Sequence, residues 1–172
     1  FPWHPHRGIE TITYMLKGHA EHGDSLGNKG VIGRGDVQWM TAGSGIIHQE
    51  MPKGDSEGKM EGFQLWANLP AVDKMMHPRY RDISAEEIPS VTLDGGATVK
   101  VICGQVGVVR GPVENVMIAP ELLDVKLPAN TVFVHPTPED HNVFAYVHAG
   151  SGRFDEMSND ELGNQSLVLF EP

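Results

Sequence analysis

His4-Pro5-His6-Arg7-Gly8-Ile9-Glu10-Thr11-Ile12-Thr13-Tyr14-Met15-Leu16-Lys17-Gly18 is the stretch whose reading decides the fold. Ile9 to Leu16 is rich in β-branched and aromatic residues and stops at Lys17-Gly18, which reads as a strand ending in a turn. In an extended chain, side chains at i and i+2 leave the same face, so His4 and His6 point together. Pro5 has no N–H to donate and confines that short strand to a start or a sheet edge. Glu10 shares the parity of His4 and His6 unless Gly8 makes a bulge, so its direction stays open.

The same i, i+2 spacing recurs at His48-Gln49-Glu50, reached through the small, flexible run Thr41-Ala42-Gly43-Ser44-Gly45. Two neighbouring strands of this kind aim three imidazoles, His4, His6 and His48, and the carboxylate of Glu50 into one small volume. Imidazole suits iron, zinc, copper and nickel, while a carboxylate adds the hard oxygen that iron and manganese accept. Four protein ligands on an octahedral ion leave two positions for water, dioxygen or a substrate oxygen. The pattern therefore predicts one mononuclear divalent metal, and the donor set admits Fe(II), Mn, Ni, Cu or Zn.

Elsewhere Gly (20) and Pro (12) punctuate short β-rich runs, as in an all-β barrel or sandwich. Strands are expected at Val31-Ile32, Val37 to Met40, Gly62 to Leu69, Thr98 to Cys103, Glu121 to Leu127, Thr131 to His135 and Val143 to Val147. Gly104 to Pro112 reads as a loop. Ser84-Ala85-Glu86-Glu87 resembles a single capped turn. His19 and His22 read as solvated residues at a hairpin tip rather than as extra ligands, and His77 as a solvated linker residue. Trp39, Met40, Phe63 and Trp66 read as core, with an apolar pocket wall as the other use for each.

An internal repeat organises the chain. Glu10 stands eight residues before Gly18, and Asn142 eight before Gly150, with similar alternation between. That register sets Pro136 opposite His4 and Pro138 opposite His6, so the second half repeats the strand without its ligands. His135 and His141 differ by six and fall out of register. The expected organisation is a metal-binding domain over 1–69, a connection over 70–95 and a metal-free, incomplete second domain over 96–172.

With 172 residues, the chain can hide about 70% of its unfolded surface. Its formal charge of −10, from 13 Lys+Arg against 23 Asp+Glu, argues against direct nucleic-acid binding, which needs a basic footprint. No apolar run reaches the roughly 20 residues of a membrane span. Cys103 is the single cysteine, which excludes an intrachain disulfide and favours a reducing, cytoplasmic setting, or a nuclear one in a eukaryote. The chain starts at Phe1 and stops just after an apolar run, so a fragment is expected.

These motifs resemble a known family. His4, His6, Glu10 and Gly18 are similar to the first cupin motif with one extra residue before the glycine. Gly35, Gly43 and His48 resemble the second, with His48 two residues late. The wording FPWHPHRGIETITYMLKG, GDVQWMTAGSGIIHQEMP, GFQLWANLP and PRYRDISAEEIP closely resembles the pirins. The resemblance implies an all-β bicupin with two barrel-like or jelly-roll-like domains. It implies iron held by His4, His6, His48 and Glu50, with Glu10 outside the ligand set but bracing it.

Bacterial pirins resemble quercetin 2,3-dioxygenases, which implies dioxygen and a flavonol-like aromatic as substrates, with ring cleavage and carbon monoxide release. Glu50 is then the candidate catalytic base. Eukaryotic pirins imply the alternative, a transcription cofactor or redox sensor whose iron state tunes binding to a Rel-family protein partner. A metal-holding module without turnover is the third class.

Overall fold

The computed structural model describes residues 1–171. It contains no helix among the described residues, and so none long and apolar enough to cross a membrane. The chain falls into two compact units, Phe1–Phe133 and the segment from Val134 onward.

The first unit holds thirteen strands: β1 (His4–His6), β2 (Ile9–Lys17), β3 (His19–Asp24), β4 (Lys29–Ile32), β5 (Val37–Thr41), β6 (Ile46–Lys53), β7 (Glu61–Asn68), β8 (Arg79–Ile83), β9 (Ser90–Thr92), β10 (Thr98–Cys103), β11 (Gln105–Val106), β12 (Val109–Arg110) and β13 (Leu122–Lys126). They form two four-stranded sheets, ordered β1-β6-β3-β4 and β7-β2-β5-β8, and a three-stranded sheet β13-β10-β9. Every ladder in these sheets is antiparallel. Among the described residues, no ladder closes either four-stranded sheet into a barrel; hydrogen bonds between side chains join the two instead. Pro5 sits on an edge strand, as its missing donor requires.

β2 is the central wall. Register pairs Ile12 with Trp39 and Leu65, and Tyr14 with Val37 and Phe63. That face packs with Ile83, Ile88, Ile102, Cys103 and Val113 in the largest apolar core. Tyr14 Oη also donates to Asp124 Oδ2 of β13 at 2.7 Å. The other face carries Thr13, aligned with Gln38 and Gln64, and looks toward the β1-β6-β3-β4 sheet. Strand alternation thus gives Ile12 and Tyr14 to one layer and Thr11 and Thr13 to the other.

Two glycines allow the crossover between sheets. Gly8 has φ +69, and its N–H donates to Gly43 O at 2.8 Å, so the chain leaves β1 and enters β2 in the other sheet. Gly43 has φ +51, and a Cβ there would lie 2.2 Å from Met76 O. Only glycine fits that approach.

Several expectations change at the margins. Thr131 to His135 forms no strand, while Gly104 to Pro112 holds the β11–β12 hairpin. The 70–95 stretch contributes β8 and β9, which pair with β5 and β10. Ser84 to Glu87 is a turn closed by Glu87 Oε2, which accepts from Ser84 N at 2.8 Å and from its hydroxyl at 2.7 Å. In the second unit, β14 (Val143–Val147) pairs with β17 (Ser166–Phe170), and β15 (Ser151–Gly152) with β16 (Leu162–Gly163).

Candidate metal centre

The β1–β6 ladder sets His4 directly opposite His48, and the strand period brings His6 to the same face as His4. His4 Nε2 lies 3.0 Å from His6 Nε2 and 2.9 Å from His48 Nε2. The three rings meet at centroid separations of 4.4, 4.8 and 4.9 Å. Nitrogens held about 2.1 Å from one ion stand about 3.0 Å apart at right angles and about 3.4 Å apart in a tetrahedron. The observed spacings fit the right-angled arrangement of an octahedral ion. Among the described residues, these three form the one group of ligand-type side chains close enough to share a metal.

The tautomer of His4 is set as a ligand needs. Its Nδ1 donates to Pro2 O at 2.8 Å, which leaves the Nε2 lone pair free. Burial and the neighbouring His4 charge hold His6 below the usual imidazole range, opposed by Glu50. Burial lowers His48 to about 4, with His4 and His6 adding to that and Glu50 opposing it. Both rings are therefore neutral near pH 7, the form that binds a cation.

Glu50 is buried beside the imidazoles and lines the same cleft. Thr13 Oγ1 donates to its Oε1 at 3.2 Å, and Gln64 Nε2 donates to its Oε2 at 2.7 Å. The β7-β2-β5-β8 sheet thus grips the carboxylate offered by the other sheet. The cleft is open, about 470 Å³, and is walled by Phe1, Trp3, Gln64 and Trp66 above His4 and His6. Trp66 meets His6 edge-on with centroids 5.2 Å apart. That volume lies within the range of small-molecule sites.

Two residues near the cluster stand elsewhere than the family resemblance, for Glu10, and the hairpin-tip reading, for His22, implied. Glu10 is fully buried on the face of β2 opposite Thr13, accepting from Thr41 Oγ1 at 2.6 Å. It does not brace the ligands, because the turn at Gly8 carries the chain into the other sheet and breaks the parity with His4. His22 is not a solvated tip residue. It is 5% exposed on β3, with Nε2 3.0 Å from Asp82 Oδ2 and its ring stacked on Tyr80. Ala20, His22 and Asp24 alternate on the buried face of that strand, and the i, i+2 rule applied to them would have found it.

Trp39 and Met40 are core and Phe63 packs against it, whereas Trp66 is 65% exposed on the cleft. His77 is exposed, and His135 and His141 lie in the second unit.

A sandwich of strands holding a histidine cluster and a buried glutamate in its interior defines an all-β cupin. The family model for Pirin matches residues 1–67. A "Pirin-like protein" of Caulobacter vibrioides is 48% identical over 177 residues, covering 99% of this chain and 64% of that one. A protein of Thermoplasma acidophilum, named "Putative quercetin 2,3-dioxygenase", is 40% identical over 192 residues, covering 99% of this chain and 74% of that one.

Among solved structures, GK1651 of Geobacillus kaustophilus superposes with TM-score 0.89 at 37% identity, covering 99% of this chain and 67% of that one. A quercetin 2,3-dioxygenase of Acinetobacter baumannii superposes with TM-score 0.84 at 32% identity, covering 97% and 58%. The chain belongs to the pirin family. It spans 64% and 54% of two of its bacterial relatives, those of Caulobacter and Pseudomonas aeruginosa.

Proposed function

We propose that this chain carries the metal centre of a flavonol 2,3-dioxygenase, a quercetinase-type oxidoreductase that takes dioxygen and a planar aromatic substrate. The observation that carries the reading is the cluster of three imidazoles, with His4 Nε2 about 3 Å from both His6 and His48, beside a buried carboxylate in a cleft walled by tryptophans. His4, His6 and His48 would hold a divalent ion, Fe(II) first, and Glu50, whose carboxylate stands outside that close group, would turn onto it as fourth ligand. When bound, such an ion supplies Lewis acidity toward a substrate oxygen and a place for dioxygen to react.

The chain's own groups do the rest. Glu50 accepts the proton of the flavonol 3-hydroxyl, a general-base role worth about 10²- to 10⁴-fold. Thr13 and Gln64 fix the direction of its two oxygens. Trp3 and Trp66, half or more exposed, offer flat apolar faces to the substrate rings. His48 is fully buried, so substrate approaches the imidazoles from the cleft side. Ring cleavage with release of carbon monoxide completes the reaction.

Iron-loaded protein in air should consume quercetin with carbon monoxide release, and metal-stripped protein should not. The net charge of −10 favours one rival, a metal-dependent docking module for a basic protein partner. A protein that holds one metal yet turns over no flavonol would move the reading to that rival.

A further inference from the structure

Behind the metal centre, away from the cleft, three buried polar atoms have no partner among the described residues: His48 Nδ1, Tyr80 Oη and His22 Nδ1. All three belong to the shared interior of the two four-stranded sheets, the inner chamber of the sandwich. The β3–β6 ladder sets His22 opposite Glu50 and Asp24 opposite His48, so these four side chains share the inner face of their sheet. Across the chamber, β8 contributes Tyr80 and Asp82, next to Met40 and Gln38 of β5. The His22 ring stacks on Tyr80 with centroids 5.1 Å apart.

Donors and acceptors around this chamber are complementary. His22 donates through Nε2 to Asp82, so its Nδ1 is left as an acceptor. His48 presents Nε2 toward the other imidazoles, so with a metal on that nitrogen its Nδ1 would carry the proton and be a donor. The Tyr80 hydroxyl can do either. Buried polar groups are almost always satisfied, and a water needs two to four polar partners to reside in a protein interior. His4 has a carbonyl on its outer nitrogen, and none of the described residues serves His48 in that way.

We infer that this chamber is an internal water site, in which ordered water joins His48 Nδ1 to the Tyr80 hydroxyl and His22 Nδ1. The hydrogen-bonded chain then continues through His22 Nε2 to Asp82, whose side chain is 43% exposed. Its role is to hold the His48 ring with Nε2 forward, so Tyr80 and His22 are positioning residues for a ligand. The role rests on the metal-binding reading above; the water site itself does not.

A high-resolution crystal structure of the protein should show water within hydrogen-bond distance of His48 Nδ1 and Tyr80 Oη. Tyr80→Phe should lose that water and bind Ni(II) about 10- to 100-fold more weakly in calorimetry, with its metal-free melting temperature kept as evidence of folding. In the Zn(II)-loaded protein, a slowly exchanging His48 ring N–H proton should appear by NMR and exchange faster in Tyr80→Phe. If Tyr80→Phe disrupts folding, His22→Gln provides the same comparison. A dry chamber overturns the inference, and so does unchanged Ni(II) affinity with an unchanged ring proton. Failure of the unmodified protein to bind Ni(II), with the water present, overturns the metal reading and the positioning role and leaves the water site standing.

Discussion

Gln64 Nε2 and Glu50 Oε2 are 2.7 Å apart across the two facing sheets, one on β7 and the other on β6. The contact makes the orientation of the proposed base a property of the opposite sheet. Removing the amide in Gln64→Leu frees one carboxylate oxygen without adding bulk to the cleft. Flavonol turnover is expected to fall about 10- to 100-fold while the protein still binds one metal. Steady-state kinetics alongside metal analysis check this, and an equal loss of metal would show that Gln64 acts on the ligand set instead.

The imidazole cluster sets the second expectation. His48→Ala removes the fully buried member of the triad and should abolish stoichiometric metal binding. His77→Ala alters an exposed residue, and His141→Ala one in the second unit; both should bind as the unmodified protein does. Metal content after dialysis reads all three. Full retention in His48→Ala would refute the assignment.

Acid should destabilise the metal-free protein through the same residues. His48 is lowered to about 4 from an ordinary 6.5, and His6 is lowered too, both chiefly by burial. Between those values the unfolded chain binds more protons than the folded one, so stability rises with pH through the window. The melting temperature should hold above pH 6.5 and fall as pH drops toward 4. His48→Asn should flatten that slope, as thermal melts in chelator across the window would reveal.

Gly43 tests the crossover. Alanine there would be strained at φ +51 and would press a methyl onto Met76 O. A loss of about 2–4 kcal/mol is expected from backbone strain plus overlap. Gly27→Ala is the comparison, since its Cβ would meet open space, although φ +91 strains it as well. Urea unfolding should rank Gly43→Ala well below Gly27→Ala.

Trp66 addresses recognition. It stands 65% exposed on the cleft, so its ring can serve a ligand at little cost to the core. Trp66→Ala should raise the KM for quercetin several-fold with kcat and melting temperature nearly kept. A collapse of kcat alone would place Trp66 in the chemistry rather than in binding.

Much of the site could be read from spacing because a strand's period is a hard rule. His4, His6 and His48 needed only two strands side by side, and the β1–β6 register supplies that pairing. Glu10 was harder to place, since a single positive φ at Gly8 moves the chain between sheets and resets the parity. His22 looks solvated in sequence because His19-Ala20-Glu21-His22 follows a turn and its neighbours are polar; β6 and β8, which bury it, lie further along the chain. Trp66 is apolar yet exposed because its parity is that of Gln64, not of Leu65. Pairing between distant strands, rather than local composition, decided each of these.

Six consecutive residues of β2, Glu10 to Met15, are buried, since one face serves the ligand chamber and the other the apolar core. A strand without a solvent face offers no position where sequence can drift unnoticed. Change toward a new substrate is therefore directed to rim residues such as Trp3 and Trp66, which shape the cleft while leaving both layers untouched. Foldability and specificity are written in separable sets of residues, so this scaffold can acquire a new appetite without relearning how to fold.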